Sequence, residues 1–117
     1  AVFSYWSLAA GLLTGKYSSG QAPSGSRLSH SRQEVLESAD LDQLVAFGEF
    51  AAARGLSEVI VAFGWLLAQD PVASVIAGAT RPEQIAQNAE AWTWTPTAQE
   101  LAELDAIFPA PQPIALF

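Results

Sequence analysis

The sequence predicts an α/β fold in which parallel strands are joined by helices. Two apolar segments, Ala1 to Leu8 and VASVIAGA at Val72 to Ala79, have the length and composition of strands. Helical patterns separate them, so the second strand is reached through a helical crossover, the unit of α/β architecture. Helix-start signals also recur, at Asp40, Ser57, Thr80 and Thr97, each ahead of a helix-like run.

Taken in order, Ala1 to Leu8 is short, aromatic and apolar and runs into turns at Gly11 and Gly15, which predicts a buried strand. SSGQAPSGSRLSHS, Ser18 to Ser31, is rich in Ser, Gly and Pro and offers little to bury; it predicts a long mobile loop, extending over 18–39. Asp40 and Gln43 have capping-box spacing, and Leu41, Leu44, Val45, Gly48 and Ala51 recur at helical intervals up to a stop at Gly55. Ser57 caps a second helix reaching Gln69, and its VIVAFGWLLA core is apolar nearly all round, so most of its faces should be buried. Asp70 and Pro71 break it ahead of the second strand, whose unbroken apolar run fits a parallel sheet covered on both faces. Thr80 to Glu83, with Pro82 in the first turn, opens a helix to about Ala91, and Thr97 to Glu100 opens a last one over LAELDAIF. Trp92 and Trp94 are expected to pack a helix end, and the tail PAPQPIALF is expected to be irregular.

Of the 117 residues, 50% are apolar and 15% charged, enough burial material for a core and too little charge for a disordered chain. With no Cys, disulfides and thiolate metal sites are ruled out, and a single His makes an imidazole-rich metal site untenable. The longest apolar run, Val59 to Ala68, falls short of the ~18 residues a membrane span needs, and AVFSYWSLAAG has no basic leader of the signal-peptide kind, so a cytoplasmic protein is expected. A net charge of −7 disfavours nucleic acid as a partner. The charge is unevenly spread: Lys16, Arg27 and Arg32 precede every acidic residue, and all twelve acids follow. One early segment is therefore electropositive, as a small-anion site or a solvated basic loop would be. Two strands do not make a stable sheet, and Ala1 falls directly at a strand, so the chain is expected to be a piece of a longer one.

Two motifs bear on chemistry. AGLLTGKY is close to a P-loop but fails it, because three residues separate Gly11 from Gly15 and Tyr17 stands where a metal-binding hydroxyl is required. Lys16 after a glycine turn still suits a phosphate as a point charge. GATRPEQIAQN, Gly78 to Asn88, runs from a strand end into a helix N-terminus, where unpaired N–H groups favour anions. Thr80 and Arg81 there are potential phosphate ligands, and Gln84, Gln87 and Asn88 put amides on adjoining faces; simple capping and solvation explain the same residues. No acid–base pair stands out, His30 falls in the loop, and Glu100, Glu103 and Asp105 read as solvating carboxylates.

YWSLAAGLLTGKY, PSGSR, VIVAFGWLLAQDP and VASVIAGATRPEQIAQNAEA together resemble the C-terminal third of the aldo-keto reductase superfamily, in particular bacterial members and the related potassium-channel β subunits. The likeness covers about residues 3 to 108. It implies that 1–117 is the C-terminal portion of a (β/α)8 TIM barrel, supplying the last two parallel strands, Val2 to Leu8 and Val72 to Ala77, with their helices. The resemblance further implies an NADP(H) site. Tyr5 would stack on the nicotinamide; Ser7, Leu8, Ala9 and Gly11 would pass the pyrophosphate; Lys16 and Arg27 would belong to the loop over the cofactor. Gly78, Thr80 and Arg81 would meet the 2′-phosphate, and Gln84, Gln87 and Asn88 the adenine end.

Departures from the family pattern are Trp6 and Ser7 in place of a frequent Ser-Pro, Ala77 in place of a frequent Pro, and Gln87 in place of Glu. The family's catalytic Asp, Tyr, Lys and His all lie upstream of this segment, so the chain alone is expected to be inactive. The reading implied is the NADPH-binding part of an oxidoreductase moving hydride between NADP(H) and a small carbonyl or alcohol. Its partner is then the N-terminal remainder of the same barrel or a second copy, and neither nucleic acid nor a membrane. The rival is a non-catalytic nucleotide-binding or protein-interaction module.

Overall fold

The computed structural model describes residues 1–111 of the chain. The Gln112 to Phe117 part of the expected irregular tail lies outside the described residues. Strand β1 (Val2–Ser4) pairs in parallel with β2 (Val72–Val75), with Phe3 opposite Ser74 and Ser4 opposite Val75. Both strands are shorter than expected: the ladder ends at the Ser4–Val75 pair, with one further hydrogen bond from Ile76 N–H to Ser4 O at 2.7 Å. Between them, helices α1 (Arg27–His30), α2 (Gln33–Glu37), α3 (Leu41–Ala53) and α4 (Glu58–Leu67) form the crossover. Helices α5 (Pro82–Ala89) and α6 (Ala98–Ile107) follow β2.

The helix boundaries have local causes. Asp40 Oδ1 accepts from the N–H groups of Asp42 and Gln43 at 3.0 and 3.2 Å, starting α3. That helix ends in a Schellman turn: Leu56 N–H donates to Ala51 O and Gly55 N–H to Ala52 O, with Gly55 at φ 65°. Thr97 and Glu100 satisfy each other's backbone N–H at 3.2 and 2.8 Å and open α6. The cap of α5 differs from expectation. Helix geometry begins at Pro82, so Arg81 is the cap position, and Gln84 Oε1 rather than Thr80 takes the free N–H of Arg81 at 3.2 Å.

Helix α4 is buried from Val59 through Gly64, as its apolar circumference requires. On one side Val61 and Ala62 meet Phe47, Phe50, Ala51 and Leu104; on the other Val59 and Phe63 meet Ala91 and Val75. Leu8, just past β1, packs against both groups. Gly64 gives Trp94 room, since a Cβ there would come within 2.5 Å of the indole. Trp94 packs edge-on to Phe50 at 6.4 Å, whereas Trp92 is exposed and packs no helix end. Glu100 and Glu103 are not merely solvating: both pair with Arg54, at 2.9 and 2.6 Å, and tie α6 to the end of α3.

Two further expectations are corrected. The 18–39 segment is not loop throughout; it carries α1 and α2, because Leu28 is 1% exposed against Tyr17 and Ala10, with Val35 and Leu36 alongside. Apolar anchors at those positions provide the burial that composition alone hides. The strands, expected to be buried, are not: Phe3 is 60% exposed and Ile76 56%. No strand residue is fully buried, and the Cα radius of gyration of 14.6 Å exceeds the ~13.4 Å of a self-contained domain this long. No single helix among the described residues is long and apolar enough to cross a membrane.

Gly64→Ala is expected to destabilise the chain by ~1–3 kcal/mol through overpacking against Trp94, seen as a lower denaturation midpoint at an unchanged m-value. Two carboxylates should give opposite pH signatures. The Thr97 backbone N–H, together with Arg54, holds Glu100 below the ordinary carboxylate range, so its stabilisation is present above the unfolded pKa and lost as pH falls through the lower folded one. Burial pushes Glu58 up, so its favourable, protonated form is fully present below the unfolded pKa and lost as pH rises through the folded one. Glu100→Gln should therefore lower Tm at neutral pH and converge on the parent chain in acid, whereas Glu58→Gln should raise Tm at neutral pH and converge in acid.

Candidate dinucleotide site

At the C-terminal ends of both strands the chain leaves a groove of about 900 Å³. One wall is Tyr5 to Leu8, following β1; the opposite wall is Ile76 to Arg81, following β2; the 3-10 segment Ala9–Thr14 and the strap before and within α1 enclose the remainder, and Phe63 of α4 lies at the base. Strand ends are where an α/β sheet leaves room for ligands, because the chain must diverge there to reach its helices.

The electrostatics are one-sided. Lys16, Arg27 and Arg81 line the groove, and none of the chain's twelve carboxylates does. A cleft lined by three cations and no carboxylate concentrates small anions even on an acidic chain. A second, smaller cavity of about 300 Å³ behind β1 is lined by Trp6, Phe47, Trp65 and Phe108 with Asp105 as its one charged residue, and is unsuited to phosphate.

Backbone strain concentrates beside the groove. Ala9, Ala10 and Gly11 are consecutively left-handed, at φ 48°, 59° and 103°, a conformation costing an alanine ~1–2 kcal/mol. Gly11 N–H and Leu13 N–H both donate to Leu8 O, and Thr14 Oγ1–H donates to Gly11 O at 2.6 Å, which holds the run in place. Gly11 suits this position, because its φ of 103° strains any other residue and a Cβ would crowd the Tyr17 ring at 3.3 Å. Tyr17 is itself buried, and its hydroxyl accepts a long hydrogen bond of 3.5 Å from Leu28 N–H. That contact joins the strap to the buried ring, on the side of the groove that Tyr17 itself lines.

Ten of the thirteen residues singled out by sequence line the groove: Tyr5, Ser7, Leu8, Gly11, Lys16, Arg27, Gly78, Thr80, Arg81 and Gln84. Ala9, Gln87 and Asn88 do not. Ala9 shapes the turn, and Asn88 Nδ2 lies 3.5 Å from Gly78 O, bracing the strand end. Gln87 is exposed farther along α5. Three of the ten, Ser7, Thr80 and Gln84, are already engaged. Ser7 Oγ–H donates to Ser4 O at 3.3 Å, and Gln84 Oε1 accepts from Thr80 N–H at 2.7 Å and Thr80 Oγ1–H at 3.2 Å as well as from Arg81 N–H. Gln84 is thus a helix cap in this state, with only its Nε2 free to reach an aromatic base.

Sequence reasoning missed Ser26. Its Oγ is buried in the groove wall with no hydrogen-bond partner, an arrangement that costs a hydroxyl ~1–3 kcal/mol unless a ligand supplies an acceptor. The only signal was its place between Gly25 and Arg27, a tight turn leading directly to a cation. Tyr5 is 79% exposed and presents a free ring face at the opposite wall.

Comparison with known proteins assigns the chain. Residues 1–108 match the model of the Aldo/keto reductase family. The chain is similar to L-glyceraldehyde 3-phosphate reductase of Escherichia coli K12, at 41% identity over 106 residues, covering 84% of this chain and 30% of that protein. It is also similar to a putative voltage-gated potassium channel subunit beta of Schizosaccharomyces pombe, at 37% over 94 residues, covering 74% of this chain and 27% of that protein. Protein tas of Escherichia coli K12 is 31% identical over 117 residues, covering 94% of this chain and 34% of that protein. The chain spans about a third of the length of these curated relatives. With a free aromatic face, three cations and an unpartnered hydroxyl around one strand-end groove, and a family match over nearly its whole length, the chain belongs to the aldo/keto reductase family.

Proposed function

We propose that this chain is the NADP(H)-binding C-terminal part of a cytoplasmic oxidoreductase that moves hydride between the nicotinamide and a carbonyl or alcohol. The observation that carries the reading is the convergence of Tyr5, Lys16, Arg27, Thr80 and Arg81, separated by up to 76 positions in sequence, on one groove free of carboxylates. The groove fits such a ligand on two counts. Its volume is within the ~300–1,000 Å³ of small-molecule sites, and the unpartnered Ser26 hydroxyl is a donor waiting for a phosphate oxygen.

In this reading the Tyr5 ring supports one face of the nicotinamide and so selects which face delivers hydride. Lys16 and Ser26 hold the pyrophosphate, Arg27 and Arg81 meet the 2′-phosphate, and Gln84 gives up its cap to meet the adenine. The bound nicotinamide supplies the hydride. This chain supplies binding and orientation, not the proton: Tyr17 is buried and hydrogen-bonded, and His30 is an exposed neighbour of Ser29. The acid and its partners belong to the N-terminal remainder of a (β/α)8 barrel, which would also cover Phe3 and Ile76. The similarity to proteins named channel beta subunits supports a second reading, a nucleotide-binding module without turnover.

The complete protein is expected to oxidise NADPH when given aldehydes, and residues 1–117 alone are expected to associate with other chains and to turn over none. NADPH binding without turnover in the complete protein would favour the second reading, and a monomeric, active 117-residue chain would overturn the barrel assignment. Arg81→Ala and Arg27→Ala should each weaken NADPH several-fold in titrations and leave NADH nearly unchanged, because charge-assisted phosphate contacts are worth ~1.5–3 kcal/mol before solvent screening. Equal losses for both nucleotides would remove the 2′-phosphate assignment. Tyr5→Phe should retain most of the hydride-transfer rate that Tyr5→Ala loses; if the two were equally damaging, the hydroxyl rather than the ring face would be at work.

A further inference from the structure

Glu58 is the one ionisable side chain of α4. Its carboxyl occupies a slot with glycine on two sides: a Cβ on Gly15 would stand 2.9 Å from Oε2, and one on Gly48 2.8 Å from Oε1. A side chain at either glycine would displace the carboxyl. Ser57 already caps α4, so Glu58 is not needed to start the helix. Burial is the one cause that moves its carboxyl upward from the ordinary range, with no hydrogen bond and no neighbouring charge contributing. A neutral side chain would fill the slot without the cost of desolvating a charge, so packing alone does not call for a carboxyl there.

The slot and the groove lie on opposite sides of one turn. Thr14 and Lys16 line the groove, whereas Gly15 between them and Glu58 do not. Gly15 is left-handed at φ 79° and closes the 3-10 segment Ala9–Thr14. Lys16 follows it directly, exposed, on a flexible four-carbon stem, and has no carboxylate partner among the described residues. The other charged groups on the elements packed against α4 offer the carboxyl no cation. On α3, Asp42 and Glu49 are exposed carboxylates and Arg54 is tied to Glu100 and Glu103. Glu83 of α5 and Glu90 just after it are exposed carboxylates, and β2 carries no charge. Tyr17 turns its ring to Gly11 and its hydroxyl to Leu28. Lys16 is therefore the cation that adjoins the slot.

We infer that Glu58 is a positioning residue for Lys16: neutral, it fills the slot behind the Gly15 turn and leaves the ammonium to an anion in the groove; ionised, it competes for that ammonium from behind the turn. Anion binding then takes up a proton at Glu58, and affinity falls as pH rises through the folded pKa of that carboxyl. That the anion is a dinucleotide phosphate rests on the function proposed above; the link between Glu58 and Lys16 does not. Linkage makes the effect reciprocal: loss of the Lys16 ammonium, or its capture by a bound phosphate, must raise the pKa of Glu58.

The test uses the complete protein, Glu58→Gln, which keeps the shape of the side chain and cannot ionise, Lys16→Ala, which alters an exposed side chain, and the double variant. Carboxyl carbon NMR with labelled glutamate follows Glu58 directly, the signal being assigned by its loss in Glu58→Gln. Without nucleotide, Glu58 should titrate at higher pH in Lys16→Ala than in the parent, and saturating NADP+ should move the parent in the same direction. In tryptophan-quenching titrations from about pH 5 to pH 8, the ratio of parent to Glu58→Gln dissociation constants for NADP+ cancels the titration of the ligand's own phosphate. That ratio should rise about two- to five-fold with pH, the range of an exposed ion pair, and stay flat when Lys16→Ala is the background. An unchanged Glu58 titration in Lys16→Ala overturns the link whatever the nucleotide does. A titration that responds to Lys16 while the ratio stays flat overturns the role of Glu58 in anion binding. A response to Lys16 in a protein that binds no NADP+ upholds the positioning of Lys16 and overturns the dinucleotide reading instead.

Discussion

The fold depends on one constraint: α4 has no polar face. A helix whose residues 59–64 are all buried must be surrounded, and every neighbouring element is placed by that need. Phe47, Phe50 and Ala51 of α3 cover one side, Val75 of β2 and Ala91 cover another, and Gly64 lets the Trp94 ring close the remaining gap. The site inherits its geometry from this arrangement. Leu8 is held against both halves of the core, which fixes where the chain leaves β1, and Phe63 forms the base of the groove that results. Core packing and ligand geometry thus meet on the same helix.

The charges are sorted as strictly as the apolar residues. Carboxylates serve the helices, as caps at Asp40 and Glu100 and as partners of Arg54, while three of the five cations face the groove. A net charge of −7 then surrounds a locally positive cleft, which favours small anions over extended polyanions. The proposed dinucleotide carries its negative charge on compact phosphates, and such a cleft suits it.

Much of this was legible in the sequence because its causes are local. The caps at Asp40, Ser57 and Thr97 depend on spacings of three residues, and the burial of α4 on an unbroken apolar run. Of the ten candidate residues that line the groove, Lys16, Arg27, Thr80, Arg81 and Gln84 were legible from charge and helix-start patterns, whereas Tyr5, Ser7, Leu8, Gly11 and Gly78 rested on the family resemblance. What could not be read depends on contacts distant in sequence. Arg54 finds Glu100 and Glu103 across more than forty residues, and Leu28 is buried only because Tyr17 folds back on it. The cap of α5 falls one residue later than the spacing suggests, at Arg81 with Gln84 instead of Thr80 with Glu83, and Thr80 itself donates to Gln84. The strands read as buried because their composition is suited to a sheet covered on both faces, while the elements of this chain leave Val2, Phe3 and Ile76 exposed.

The proposed function requires NADPH to occupy the strand-end groove and not the apolar cavity behind β1. A difference map of hydrogen–deuterium exchange in the complete protein, with and without saturating NADPH, tests it most directly. Within this chain, protection is expected at the 5–16, 24–31 and 76–84 segments, with none in α3 or α6. Protection confined to α3 and α6, or no change in those three segments under conditions where NADPH is bound, would rule the strand-end groove out as the nucleotide site.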